Sequence, residues 1–298
     1  MLSNVHIFCF AASYSVALLL EVSRLFFRAP IRLLVIVGFS AAGLLAHTVY
    51  VVMRANPDPQ RPPPLSSWHD WLLLLAWGVV VIYLFTMLRR PKAAVGIFML
   101  PVVLLLIGVA SLFRDTAPFP RDEALDVWGM IHGVALLMGA VSVMFGFVAG
   151  IMYLVQSYRL KHKLPPRLGL RLPSLEWLQS ANRLSLVASS CLLAAGLLAG
   201  VVLNLVKRSP GMPWSDPVVW TSGGLFLWLL AVVLFESLYK PARQGRKVAY
   251  LTLASFVFLG LVLGIVLFSP SKHATPTNPT EPADESALAP VATDGGVR

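Results

Sequence analysis

Two of the six histidines in this 298-residue sequence lie where an imidazole could hold a metal inside apolar surroundings. His132 sits in Trp128-Gly-Met-Ile-His132-Gly, about five residues into a long apolar run. His47 lies in a different run, which ends near Met53. At the helical rise of 1.5 Å per residue, they fall about 7 Å and about 9 Å below one rim of a bundle. Two imidazoles at one depth on separate helices suit an iron with two axial histidines, as in haem. An ionisable or metal-binding side chain at such depth is costly and is a functional candidate by default. The alternatives are a His132 ring hydrogen-bonded to a neighbouring helix and a His47 that matches in depth by chance.

The other histidines carry less. His273 follows the last apolar run in Ser269-Pro-Ser-Lys-His273, where it could close a site from outside or be solvated tail. His69, beside Trp68 and Asp70, reads as interfacial, and so does His6. His162 stands among Arg159, Lys161 and Lys163 in a basic loop.

The elements that must position these residues are apolar stretches alternating with short polar loops, eight times over. Hydrophobic residues make up 57% of the chain and charged residues 13%, with a mean hydropathy of +0.75. About 20 apolar residues cross about 30 Å of hydrocarbon as a helix, and in lipid the backbone must satisfy itself. The expected fold is therefore an all-α polytopic membrane helix bundle of about eight transmembrane helices. The spans read as 5–23, 32–53, 69–88, 93–112, 127–157, 183–206, 218–239 and 248–269; the fifth is too long for one crossing and should project. Loops after spans one, three, five and seven hold 3, 3, 6 and 4 Lys and Arg, 16 in all, against 8 on the other side. The richer side faces the cytoplasm, so both termini are expected outside.

The net charge of +10 is thus mainly a topology signal. A nucleic-acid partner would need a basic face on a soluble domain, and the sequence offers none. The first span lacks the basic start and small-residue site of a cleavable signal. Cys9 and Cys191 lie in apolar spans without a CxxC and read as buried small hydrophobes. Glycine pairs at i,i+4 (Gly129/Gly133, Gly146/Gly150, Gly196/Gly200, Gly260/Gly264) suit close helix packing within the bundle, or between copies. Residues 271–298 are rich in Pro, Ala, Thr and acid and should form a disordered extracytoplasmic tail beyond a 1–270 membrane domain.

Outer loops carry Trp68, Trp71, Trp128, Trp214 and Trp220, which suit an interfacial aromatic belt or a platform for a flat apolar ligand. Trp214 and Trp220 bracket the Asp216-Pro217 turn. Arg54, Arg61, Arg114, Arg121, Lys207 and Arg208 could pair with ligand carboxylates. Glu21 and Glu236 lie within spans near their inner ends; Glu21 has Arg24 at i+3 and suits local pairing. A proton path would need further polar groups along one helix, and none does so. No nucleophile with a base, phosphate loop, HExxH or carboxylate pair marks a hydrolase or an ATPase.

Several stretches, in order over about residues 32–270, resemble the cytochrome c assembly family. Pro64-Leu-Ser-Ser-Trp-His-Asp-Trp71 and the following run to Trp77 resemble the start of its third span. Trp128 to Lys163, with His132, Tyr153 and Tyr158, resembles its haem-ligand helix. Leu175-Glu-Trp-Leu178 looks like its Leu-acid-x-Leu helix start. Pro213-Trp-Ser-Asp-Pro-Val-Val-Trp220 resembles a reduced tryptophan-rich "WWD" signature, and Gly245-Arg-Lys-Val-Ala-Tyr250 its Gly-Arg-basic start to the last span. The short eight-span members, including those resembling the haem-biosynthesis-associated membrane protein, are most similar. Where synthase-type members have an inner histidine on the penultimate span, Leu238 or Tyr239 stands here.

The resemblance implies a multi-pass protein of the cell (inner or plasma) membrane. It would handle haem b and present it at the outer face to apocytochrome c or other assembly subunits, with no catalysis of its own. His132 would be an axial ligand, His47 the preferred second ligand and His273 its alternate. Trp214, Asp216 and Trp220 would wall the porphyrin. The rival readings are a scaffold or regulator of haem biosynthesis that has lost haem binding and a secondary transporter of a small solute.

Overall fold

A computed structural model describes residues 7–26, 31–55, 67–114, 127–163, 170–206, 217–238 and 245–268. Trp214, Asp216, His273, His6 and the tail lie outside them. The described residues form eight helices and no strand: α1 Ile7–Ser23, α2 Arg32–Ala55, α3 Trp68–Arg89, α4 Gly96–Leu112, α5 Val127–Lys161, α6 Leu175–Val206, α7 Pro217–Leu238 and α8 Gly245–Phe268. The all-α expectation holds. Four helices (α2, α3, α5 and α6) contain stretches long and apolar enough to cross a membrane; the apolar stretches of the others are shorter.

Local signals explain the helix ends. Ser67 caps α3, its hydroxyl accepting from the Asp70 N–H at 3.3 Å, and Asp70 in the first turn suits the positive end of the helix dipole. The 35 residues of α5 run unbroken to Lys161, and Lys163 then turns the chain with a left-handed φ of 49°. At 1.5 Å per residue α5 is about 52 Å long, well beyond one bilayer core. Helix α6 begins at Leu175, eight residues before the expected span, and adds polar turns outside the apolar run.

Contacts between helices fix which ends lie together. At one end Arg24, just after α1, donates to the carbonyls of Lys92 and Ala93 between α3 and α4, at 3.1 and 3.2 Å. The Ala94 N–H donates to Arg171 O at 2.8 Å, and Arg90 stacks over the ring of Trp177 on α6. Arg159 on α5 donates to Leu170 O at 3.1 Å. This basic end thus gathers the carboxy-terminal ends of α1, α3 and α5 with the amino-terminal ends of α4 and α6. The opposite end carries Trp68, Trp71 and Trp128 and is called the tryptophan end below.

Helices α5 and α6 make the most extensive pairing, and α1 to α4 pack as a group that meets α5 chiefly through α3 and also through α4. Glycines make these approaches possible. A Cβ at Gly146 would lie 2.8 Å from Thr252, one at Gly150 2.8 Å from Leu253, and one at Gly196 2.8 Å from Leu136. Gly260 and Gly264 face open space. The exterior is apolar, with Phe8, Leu105, Leu198 and Leu227 exposed, as a lipid-facing surface requires. Cys9 and Cys191 are exposed on this surface rather than buried, because each points away from the neighbouring helices.

Candidate functional site at the tryptophan end

His132 stands one turn inside the start of α5, against the carboxy-terminal half of α6. Its Nδ1 lies 2.6 Å from the Gly196 carbonyl oxygen. A carbonyl only accepts, so Nδ1 carries the proton and Nε2 the lone pair. Glycine is needed one turn further along α6, because a Cβ at Gly200 would fall 2.8 Å from His132 Nδ1 and 3.0 Å from Cε1. The next residue on α5, Gly133, receives the edge of Trp71 from α3; a Cβ there would meet the indole at 2.5 Å. A half-buried imidazole is thus held at the junction of α3, α5 and α6. Both sequence readings of His132 meet here: it is bonded to a neighbouring helix, and that bond sets the tautomer a metal ligand needs.

His47 has a different setting. Its ring is fully buried, stacked parallel on Phe10 with centroids 4.3 Å apart. The Tyr14 hydroxyl lies 3.4 Å from Nδ1. Its packing partners are α1 and the Leu73 backbone of α3, whereas those of His132 are on α6. The structure records no contact joining the two rings. The nearby cavity, lined by Tyr50, Arg54, Asp70 and Leu73, measures about 160 Å³, below the ~300 Å³ at which ligand pockets begin. His47 thus sits within the α1–α3 group, apart from the α5–α6 junction that holds His132.

His69 is the residue the sequence undervalued. Rather than interfacial, it is fully buried. Nδ1 donates to Ala110 O on α4 at 2.8 Å, which leaves Nε2 to accept from the Tyr50 hydroxyl at 3.3 Å. Next to it, Asp70 is ion-paired with Arg54 of α2, joining residues 16 apart in sequence. Arg54 thus serves a carboxylate of its own chain. The clue in the sequence was an adjacent His-Asp at the start of a span, facing a helix that ends in a cation. Of the expected wall, Trp220 lies in the first turn of α7 with 70% of its surface exposed.

The described residues thus form an apolar eight-helix bundle with a half-buried histidine held by a backbone carbonyl where α3, α5 and α6 meet. Residues 65–271 match the family described as Cytochrome C assembly protein, and the chain belongs to that family. Three curated relatives named "Cytochrome c biogenesis protein CcsA" are similar over most of their length. The one from Pyropia yezoensis is 21% identical over 254 residues, covering 71% of this chain and 78% of its own. The one from Microcystis aeruginosa is 23% identical over 261 residues, with coverage of 71% and 78%. The one from Trieres chinensis is 24% identical over 243 residues, with coverage of 71% and 77%.

Proposed function

We propose that this protein supports cytochrome c assembly by binding haem b at the tryptophan end of the bundle and presenting it there to apocytochrome c or to other assembly subunits. All eight helices cross the cell membrane, with both termini and the tryptophan end outside and the basic end in the cytoplasm. Residues 1–270 form the membrane domain and 271–298 an extracytoplasmic tail. Membership of the family carries the role in cytochrome c assembly, and the bias of 16 to 8 Lys and Arg carries the orientation.

The single observation that supports the site is the bond from His132 Nδ1 to Gly196 O. Metal-ligating histidines donate their second nitrogen to a carbonyl or carboxylate, which fixes tautomer and ring orientation. His132 Nε2 would be the atom that holds the iron when haem is bound, since imidazole is a common haem-iron ligand. Gly196 and Gly200 let the ring seat against α6, and Trp71 packs the other side of the α5 turn. His273 is the proposed second ligand, with Trp214, Asp216 and Trp220 as the wall. His47 is assigned to the interior of the α1–α3 group. At this haem site the protein's own residues bind, orient and shield, and none is placed there as an acid, base or nucleophile.

The experiment is a haem titration of the purified protein followed in the visible spectrum, with His162→Ala as a control at the basic end. His162→Ala should match wild type, whereas His132→Ala should lose most of the bound absorbance. Equal binding by all three would contradict the assignment.

A further inference from the structure

Polar atoms buried without a hydrogen-bond partner are rare, because protein groups or ordered water normally satisfy them. Six such side-chain atoms occur among the described residues. Two belong to Asn182; the other four are Glu21 Oε1, Ser40 Oγ, His47 Nε2 and Asp70 Oδ2, all on α1, α2 or α3. Most buried titratable groups among the described residues follow the same division: Glu21, Tyr14, Tyr83, His47, His69 and Asp70 are in α1–α3 and Tyr153 is on α5, whereas the buried polar groups of α6 and α8 are hydroxyls and Asn182.

These groups form a column rather than a scatter. At the basic end Glu21 is fully buried, with Oε2 held by Arg24 Nη1 at 3.2 Å and Oε1 unbonded. Arg32 also acts on it, and Tyr83 of α3 faces both Glu21 and Ser40. Two turns along α2 from Ser40 lie His47 and the Tyr14 hydroxyl, 3.4 Å from Nδ1. The Tyr14 ring fits there because position 43 is glycine; a Cβ would sit 2.6 Å from Cε1. One turn further Tyr50 bonds His69. The column ends at Asp70, with Oδ1 paired to Arg54 and Oδ2 unbonded. Arg54 and Arg114 are the cations that face His69.

Both ends therefore carry the same device: a buried carboxylate with one oxygen held by an arginine and the other without a hydrogen-bond partner. From Arg32 to Arg54 is about 33 Å along α2, the thickness of the hydrocarbon core. Ionisable chains inside membrane bundles mark proton relays and ion pathways. No single helix holds the whole series, so no one span reveals it in sequence. Helices α1 and α2 also precede the family match, which starts at residue 65.

We propose that the α1–α3 group is a proton path between the two membrane faces, running from Glu21 through Ser40 and Tyr83, Tyr14 and His47, and Tyr50 and His69 to Asp70. Ordered water at the four unbonded atoms completes the chain. Each group accepts a proton on one side and releases one on the other, so one positive charge crosses per event and no residue is left changed. The electrochemical gradient sets the direction. The path rests on the reading that α1–α3 cross the bilayer; it does not require haem at His132.

The test is proton flux in liposomes holding the full chain. A potassium diffusion potential is imposed with valinomycin, and trapped pyranine reports internal pH. Wild type should acidify the lumen faster than protein-free vesicles do. Tyr14→Phe and Glu21→Gln should each fall to the protein-free rate while keeping helical circular dichroism. Ser40→Ala, which removes one unbonded hydroxyl, replaces either variant that does not fold and should show the same loss. A wild-type rate equal to that of protein-free vesicles overturns the proposal, and so does a folded variant that conducts like wild type. Haem absorbance recorded on the same samples separates this outcome from failure of the haem site.

Discussion

Adding one methyl group at Gly200 should weaken haem binding without touching the ligand itself. The new Cβ would lie 2.8 Å from His132 Nδ1 and 3.0 Å from Cε1. Real Cβ contacts are longer, so the ring must move away from α6 by several tenths of an ångström. That motion stretches the 2.6 Å bond to Gly196 O, which sets the tautomer. Losing one such hydrogen bond costs about 1 kcal/mol. Loss of an outer partner of a ligating histidine typically costs about 10–100-fold in metal affinity, or about 1.4–2.8 kcal/mol. Gly260→Ala adds the same methyl where nothing lies within 4 Å and serves as the control. Haem titrations of both variants in one detergent should show a raised Kd for Gly200→Ala and an unchanged Kd for Gly260→Ala. Equal Kd values would refute the reasoning that α6 positions the ligand through this bond.

Three further outcomes follow from the geometry. His47→Ala should keep bound haem absorbance but lower thermal stability, because it removes the stack on Phe10 and the Tyr14 contact; truncating a buried large side chain costs about 2–5 kcal/mol. Asp70→Asn should destabilise the α2–α3 contact by about 1.5–3 kcal/mol, since it removes the charged partner of the partly exposed Arg54; a thermal melt matching wild type would contradict this. Reporter fusions at His162 and at Thr277 should report opposite sides of the membrane, and two cytoplasmic signals would overturn the orientation.

The helices were legible because span length and apolar content are written in consecutive residues. Each of the eight expected stretches contains a helix, and the main displacement, the early start of α6, arises where polar turns continue an apolar run. What the sequence hid was rotation about the helix axes. His69 reads as interfacial from its place at the start of a span, yet α3 turns it inward onto Ala110. Arg54 reads as a loop cation, but α2 carries it to Asp70. Cys9 and Cys191, apolar by neighbourhood, face outward. His132 was legible as a candidate because a histidine in an apolar run is costly wherever it points. Its tautomer was not, because the carbonyl that sets it lies 64 residues away.

The most direct test of the central claim is the visible spectrum of the purified wild-type chain with haem, recorded oxidised and reduced beside His132→Ala. Wild type should show the bands of a low-spin haem with two axial ligands, and His132→Ala should lose them and recover part on adding imidazole, which can enter the place of the missing ring. A wild-type protein that binds no haem in either redox state would contradict the haem-presenting function and favour a scaffold role within the same family.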